Sequence, residues 1–156
     1  MHFLRNGDRT ATVVFEEDIE LFTEMGFKAY RFSIDWSRIF PHGDDAEPNE
    51  AGLDHYERLL SALREHDIEP VVTLSHSEMP LNLVKKYGGW RNKRVIEFYV
   101  RYCSAVFSRY RGLVKYWLPF NEVNDMLLPM SAFGQGGIYH DGTESFTEQP
   151  DIQMNA

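Results

Sequence analysis

Helix-like and strand-like segments alternate three times along the chain, and this alternation limits the fold more than any other feature of the sequence. In chain order, the sequence predicts a helix over 16–26, a strand over 28–34, a helix capped by Asn49 and ended by His66, a strand over 68–75, a helix capped by Asn92 and ended by Gly112, and a strand over 113–120. Helices that alternate with strands in units of about 40 residues favour right-handed βαβ crossovers and a parallel sheet. The predicted fold class is therefore α/β.

Apolar residues at helical spacing predict which face of each helix is buried. The predicted stripes are Ile19, Phe22 and Met25 in the first helix; Leu53, Tyr56, Leu60 and Leu63 in the second; and Ile96, Tyr99, Cys103, Val106 and Tyr110 in the third. Gly26 follows the first stripe, where a helix commonly ends in the left-handed conformation that glycine adopts without strain.

Composition and charge exclude several classes of protein. The 156 residues are 43% hydrophobic and 14% aromatic, which is typical of one globular domain. The net charge of -8 argues against a nucleic-acid or anionic-membrane partner. A single cysteine, Cys103, excludes an internal disulfide and a thiolate zinc cluster. With no long apolar run and no signal-like start, the sequence predicts a cytoplasmic domain over 1–156, irregular over 1–14 and 138–156.

Polar residues follow each predicted strand, at the end where parallel α/β folds place their functional groups. They are Asp35 after the first strand; Ser75, His76 and Glu78 after the second; and Asn121, Glu122 and Asn124 after the third. A carboxylate directly after a buried strand is costly to desolvate, so Glu122 is either paired or functional. Taken alone, His76 fits a hydrogen-bonded structural histidine better than a functional one.

Five blocks of the sequence carry a family resemblance: YRFSIDWSRIFPHG, NEAGLDHY, IEPVVTLSHSEMPLNL, YGGWRN and VKYWLPFNEVN. In this order and spacing they resemble glycoside hydrolase family 1, which contains β-glucosidases and 6-phospho-β-glucosidases. The resemblance runs from Glu17 to Gly137 and implies part of a (β/α)8 TIM barrel, strands two to four with their helices. The forms FNEVN and LSHSEMP resemble the 6-phospho-β-glucosidase branch.

The resemblance implies a role for each of four residues. Glu122 matches the general acid/base, Asn121 the residue that binds the sugar 2-hydroxyl, and His76 a sugar-hydroxyl contact. Arg31 matches the arginine that orients the nucleophilic carboxylate and keeps it ionised. The structural alternatives are a buried ion pair for Arg31 and a loop cap for Asn121. The implied chemistry needs no metal or organic cofactor.

Other parts of the family pattern have no match in the sequence. The family's nucleophile is a Glu on the seventh barrel strand, and its first strand carries a sugar-binding Gln; residues that bind the 6-phosphate also belong to the unmatched half. Glu78 and Asp35 are the other strand-end carboxylates, but Glu78 occupies a position that the family usually fills with Asp or Glu. Ser77 stands where an aromatic residue is common, and Pro119 where Thr is usual.

Two interpretations follow. The first is a retaining hydrolase of β-glucosides or 6-phospho-β-glucosides that lacks its nucleophile and is inactive alone. The second is a non-catalytic remnant or half of a split enzyme, acting as an assembly partner or weak sugar binder. Open sheet edges favour self-association or docking of a missing half-barrel in either case. A doubly wound regulatory domain needs a glycine loop after an early strand, and GQGG at 134–137 comes too late.

Overall fold

A computed structural model describes residues 14–123, which form a three-stranded parallel sheet flanked by helices. The helices are α1 (Val14–Glu24), α2 (Trp36–Ile39), α3 (Glu50–Glu65), α4 (Leu81–Tyr87) and α5 (Arg94–Arg109), with a 3-10 turn over Gly89–Arg91. The strands are β1 (Ala29–Ser33), β2 (Glu69–Thr73) and β3 (Tyr116–Leu118). No helix in this part of the chain is long and apolar enough to span a bilayer.

The sheet has the order β1-β2-β3, with both pairs parallel, as the alternating pattern predicts. Ser33 pairs with Thr73, and Thr73 pairs with Leu118. The backbone ladder continues beyond the strands, because the Asn121 N–H donates to the Ser75 carbonyl at 2.9 Å. The carboxyl ends of all three strands therefore meet at one edge.

The first helix lies two residues earlier than predicted and ends at Glu24. Gly26 follows in the left-handed conformation, with φ +78°, as predicted. Ile19 is buried, but Met25 lies beyond the helix and is exposed, so its place in the stripe was wrong. Val14 is helical, which corrects the irregular segment predicted over 1–14; residues 1–13 and 138–156 lie outside the described residues.

The apolar stripe predicted for the second helix is confirmed, since all four of its residues are buried in α3. Asn49 is the N-cap residue, but its side chain does not cap the helix. Its Nδ2 donates instead to the Arg38 carbonyl at 3.0 Å, tying the end of α2 to the start of α3. At Gly52 a Cβ would lie 2.2 Å from the same carbonyl oxygen, so this close approach requires glycine.

The prediction of the buried face of the third helix was partly wrong, because most of the predicted residues lie one position after the residues that are buried. Its buried residues are Val95, Phe98, Tyr102 and Val106. Of the predicted stripe, Val106 and Tyr110 are buried, Tyr99 and Cys103 are partly buried, and Ile96 is exposed. The helix carries two adjacent apolar stripes at three- and four-residue spacing, and the spacing alone does not decide which one faces the core. Asn92 accepts from the Arg94 N–H at 3.1 Å, near the predicted start.

The strands are shorter than predicted, and two short helices lie between the predicted elements. β3 ends at Leu118, directly before Pro119. The Pro119 carbonyl accepts from the Tyr99 hydroxyl at 2.7 Å. Helices α2 and α4 have four and seven residues, too few for a helical period to be recognised in the sequence.

One tyrosine of α5 fixes the ends of two strands. The hydroxyl of Tyr102 lies 2.9 Å from the Leu74 carbonyl oxygen and 3.2 Å from that of Ile34. Tyr102 is fully buried and stacks on Trp36 with ring centroids 5.4 Å apart. The aromatic core under the sheet thus holds in place the edge where the strand-end polar residues lie.

Candidate functional site

Three polar side chains form a hydrogen-bonded row across the sheet. Nη2 of Arg31, on β1, donates to Oδ1 of Asn121 at 2.6 Å. Nε of the same guanidinium donates to Oγ1 of Thr73, on β2, at 3.2 Å. Arg31 is exposed and both of these partners are neutral, so the described contacts do not make it a member of a buried ion pair.

The imidazole of His76 lies at the same edge, directly after β2. Its Nδ1 is 3.2 Å from Oγ of Ser33, the last residue of β1. Its backbone N–H donates to Oε1 of Glu78 at 2.8 Å, which stabilises the turn after the strand. With Nδ1 facing Ser33, Nε2 is the ring nitrogen left for a ligand.

Glu122 follows Asn121 directly and is exposed, whereas Asn121 is buried. Glu122 has φ +43° and Ser77, which follows His76, has φ +70°. Each of these non-glycine residues costs on the order of 1 kcal/mol or more in such a conformation. Strained backbone of this kind is concentrated at functional sites, and here it follows the polar ends of both β2 and β3.

The structure therefore brings Arg31, His76 and Asn121 to one edge of the sheet and places Glu122 next to Asn121. Sequence reasoning missed Ser33 and Thr73, which bond to His76 and Arg31. A signal was present, because Ser33 lies two positions after Arg31 and so shares its face of the strand.

The two other strand-end carboxylates are engaged elsewhere. Asp35 accepts from the backbone N–H and the hydroxyl of Ser37, at 2.8 and 2.7 Å, and so caps α2. Burial, reinforced by the nearby charge of Asp35 and opposed by the hydrogen bond from the His76 N–H, raises the pKa of Glu78 to about 7. Asp35 is therefore held at the start of α2, and Glu78 in the turn after β2. Among residues 14–123, no group of three or more His, Cys, Asp or Glu side chains is placed to hold a metal ion.

Comparison with known proteins identifies the family. Residues 12–152 match the sequence profile of Glycosyl hydrolase family 1. The chain belongs to this family. The resemblance read from the five sequence blocks is thereby confirmed.

Family 1 relatives are similar over most of this chain. It is 58% identical to the aryl-phospho-β-D-glucosidase BglH of Bacillus subtilis, over 82% of this chain and 27% of the relative. It is 54% identical to a 6-phospho-β-glucosidase of Clostridium longisporum, over 83% of this chain and 27% of the relative. The chain spans about a quarter of the length of these curated relatives.

Solved structures support the same assignment. The crystal structure of the rice β-glucosidase Os3BGlu6 matches with a TM-score of 0.71 and 41% identity, over 75% of this chain and 24% of that one. A variant of the rice enzyme in a covalent complex with Glc matches with the same TM-score and 40% identity. The prediction of a partial (β/α)8 barrel is confirmed.

Proposed function

We propose that this chain is the part of a retaining family 1 glycosidase that supplies the general acid/base and three residues around it. The carrying observation is the bond from Arg31 to Asn121, with His76 at the same edge and Glu122 next in the chain. The substrates are β-glucosides that carry a 6-phosphate. This choice is supported by the names of the Bacillus and Clostridium relatives, both phospho-β-glucosidases, at 58% and 54% identity.

In the proposed reaction, Glu122 first acts as an acid. Its carboxyl proton passes to the glycosidic oxygen as the bond from that oxygen to the anomeric carbon breaks, while a carboxylate oxygen bonds to the same carbon from the opposite face. Glu122 then takes a proton from water, whose oxygen attacks the anomeric carbon and releases the carboxylate. Two inversions give net retention, and the covalent complex of the rice variant with Glc is in keeping with such an intermediate.

Asn121 and His76 bind the sugar in this proposal. Arg31 occupies Oδ1 of Asn121, which leaves the Nδ2 hydrogens to donate to the 2-hydroxyl. The contact at Nδ1 leaves Nε2 of His76 for a second hydroxyl group. Arg31 is also the cation that keeps an approaching carboxylate ionised.

The second carboxylate must come from outside the described residues. A retaining pair stands about 5–5.5 Å apart, and in residues 14–123 the strand-end carboxylates Asp35 and Glu78 are engaged as described above. Because the sequence also has no match to the family's nucleophile, we expect this chain alone not to hydrolyse glycosides, and to become active when the remaining barrel strands are supplied.

An exchange of segments tests the proposal. In BglH of Bacillus subtilis, the matching segment is replaced by residues 14–123 of this chain, giving an enzyme called here the exchanged enzyme. We expect it to hydrolyse p-nitrophenyl β-glucoside 6-phosphate, and we expect the isolated chain to hydrolyse neither this substrate nor the unphosphorylated glucoside. A folded but inactive exchanged enzyme, or activity of the isolated chain, would contradict the proposal.

A second candidate function is assembly with a partner, and an exposed apolar surface favours it. Ile96, Val100 and Phe107 on α5 are 47%, 56% and 44% exposed, and their spacing of four and seven residues puts them on one side of the helix. Tyr116 on β3 is also exposed, and within the described sheet β3 pairs with β2 alone. In a complete barrel the next strand and helix cover this surface; in the isolated chain we propose that a second copy covers it.

Charged residues on this surface are expected to abolish association. Replacing Ile96 and Val100 by Asp should give an 18.2 kDa monomer in sedimentation velocity at concentrations where the unmodified chain forms larger species. The control replaces Leu21 and Met25 by Asp; these residues are at least as exposed as Ile96, but they lie in and directly after α1. This variant should still associate. A monomeric unmodified chain would rule out association through α5.

A further inference from the structure

Thr73 is the most firmly held member of the hydrogen-bonded row that it forms with Arg31 and Asn121. It belongs to the central strand β2 and is fully buried. Its backbone is paired on both sides, with Ser33 of β1 and Leu118 of β3, and its carbonyl also accepts from the Ile34 N–H at 3.0 Å. A side chain on so fixed a backbone, with few χ1 rotamers open to threonine, presents its hydroxyl at one position.

Arg31 by contrast is exposed, with a long flexible stem. A guanidinium is planar, so a hydrogen bond at Nε fixes the direction of its other N–H groups. The 3.2 Å contact from Nε to Thr73 Oγ1 therefore sets where Nη2 points, and Nη2 meets Asn121 Oδ1 at 2.6 Å. The bond to Asn121 in turn decides which end of that amide faces the sheet and which faces outward.

We propose that Thr73 is a positioning residue, whose hydroxyl orients the Arg31 guanidinium and thereby holds the Asn121 amide with Nδ2 turned outward. The link from Thr73 to Arg31 to Asn121 rests on contacts in this chain. Only its purpose, the presentation of Nδ2 to a sugar hydroxyl, rests on the proposed function. Without the hydroxyl, the guanidinium is free to swing and the Asn121 amide loses its oriented partner.

The test is NMR spectroscopy of the full chain, which requires no catalytic activity. Thr73→Val keeps the shape of the buried side chain and removes the acceptor. We expect the Arg31 Nε–H to exchange with solvent about tenfold faster, because it loses one hydrogen bond. We also expect the two Asn121 Nδ2–H signals to shift. Thr73→Ser keeps the hydroxyl and should leave both sets of signals close to those of the unmodified chain.

Thr23→Val is the matched control, since the Thr23 hydroxyl donates to the Ile19 carbonyl within α1, away from the row. It should leave the Arg31 and Asn121 signals unchanged. The backbone amide spectrum of β1 to β3 reports whether each variant is folded. If Thr73→Val does not fold, Thr73→Cys, whose thiol is a weaker acceptor, is expected to give a smaller change in the same direction.

The result separates this proposal from the proposed function. Unchanged Arg31 and Asn121 signals in folded Thr73→Val would overturn the positioning role, whatever the exchanged enzyme does. Altered signals in Thr73→Val with recovery in Thr73→Ser would support it, even if the exchanged enzyme proved inactive. In an active exchanged enzyme, Thr73→Val should lower kcat more than it raises KM, because the bond to the 2-hydroxyl strengthens in the transition state.

Discussion

Replacing Glu122 by Gln in the exchanged enzyme is expected to lower the rate of hydrolysis by about 10²–10⁴-fold, the usual contribution of a general acid/base. Gln keeps the size of the side chain and its hydrogen-bonding oxygen, but it has no acidic proton to give to the departing oxygen. The left-handed backbone at Glu122, with φ +43°, is equally open to Gln. The loss therefore reports the proton transfer rather than a change in the turn after β3.

The leaving group distinguishes this role from a structural one. A substrate whose aglycone is strongly acidic, such as a dinitrophenyl glycoside, departs without protonation, so its first step should be much less impaired by Glu122→Gln. Glu97→Gln, an exposed carboxylate on α5, is the matched control and should change neither rate. Equal losses of kcat/KM, which reports the first step, for the dinitrophenyl and p-nitrophenyl substrates would show that Glu122 is not the acid.

The stability of the isolated chain is expected to fall as pH rises from 4.5 to 7, through Glu78. Its pKa rises from 4.5 to about 7 in the folded state, chiefly because the carboxyl group is buried and secondly because Asp35 lies nearby. Between these values the folded chain binds more protons than the unfolded chain, so the free energy of unfolding decreases with increasing pH. The contribution of protonated Glu78 to the free energy of unfolding is complete below pH 4.5 and is lost as the pH rises through about 7.

Comparison with Glu78→Gln isolates this effect. Gln is neutral at every pH, and its Oε1 can still accept from the His76 N–H. In urea unfolding, the variant should match the unmodified chain at pH 4.5 and exceed it at pH 8 by on the order of 2–3 kcal/mol, with the partial exposure of the site reducing the full value. Glu97→Gln again serves as the control. A difference that does not change with pH would contradict the raised pKa.

The order of elements and the location of the site follow from the sequence because both depend on local periodicity. The stripe of α3 has a single apolar face, and its residues are the ones buried. In α5 two stripes compete, and the contact of Tyr102 with the ends of β1 and β2 decides between them; that contact is tertiary and leaves no local signal. Thr73 escaped notice because a threonine in a strand is ordinary for its β-propensity.

The raised pKa of Glu78 is likewise beyond sequence reasoning. Together with burial, the charge of Glu78 contributes to raising the pKa of the Tyr56 hydroxyl on α3 and of the Tyr99 hydroxyl on α5. Both tyrosines are far from Glu78 in the sequence. Family knowledge indicates only that an acidic residue belongs at this position. The burial that changes its protonation is a property of the assembled fold.

The bond between Arg31 and Asn121 joins residues 90 positions apart, and this has a consequence for how the site forms during folding. Closing one long loop directly is slower than closing shorter ones in turn, because chain entropy must be lost before any contact is gained. Here β1 pairs with β2, and β2 with β3, so two successive closures of about half that span bring the two side chains together. During synthesis on a ribosome, Arg31 therefore lacks its partner until β3 has emerged and paired with β2. The row at the sheet edge is completed last.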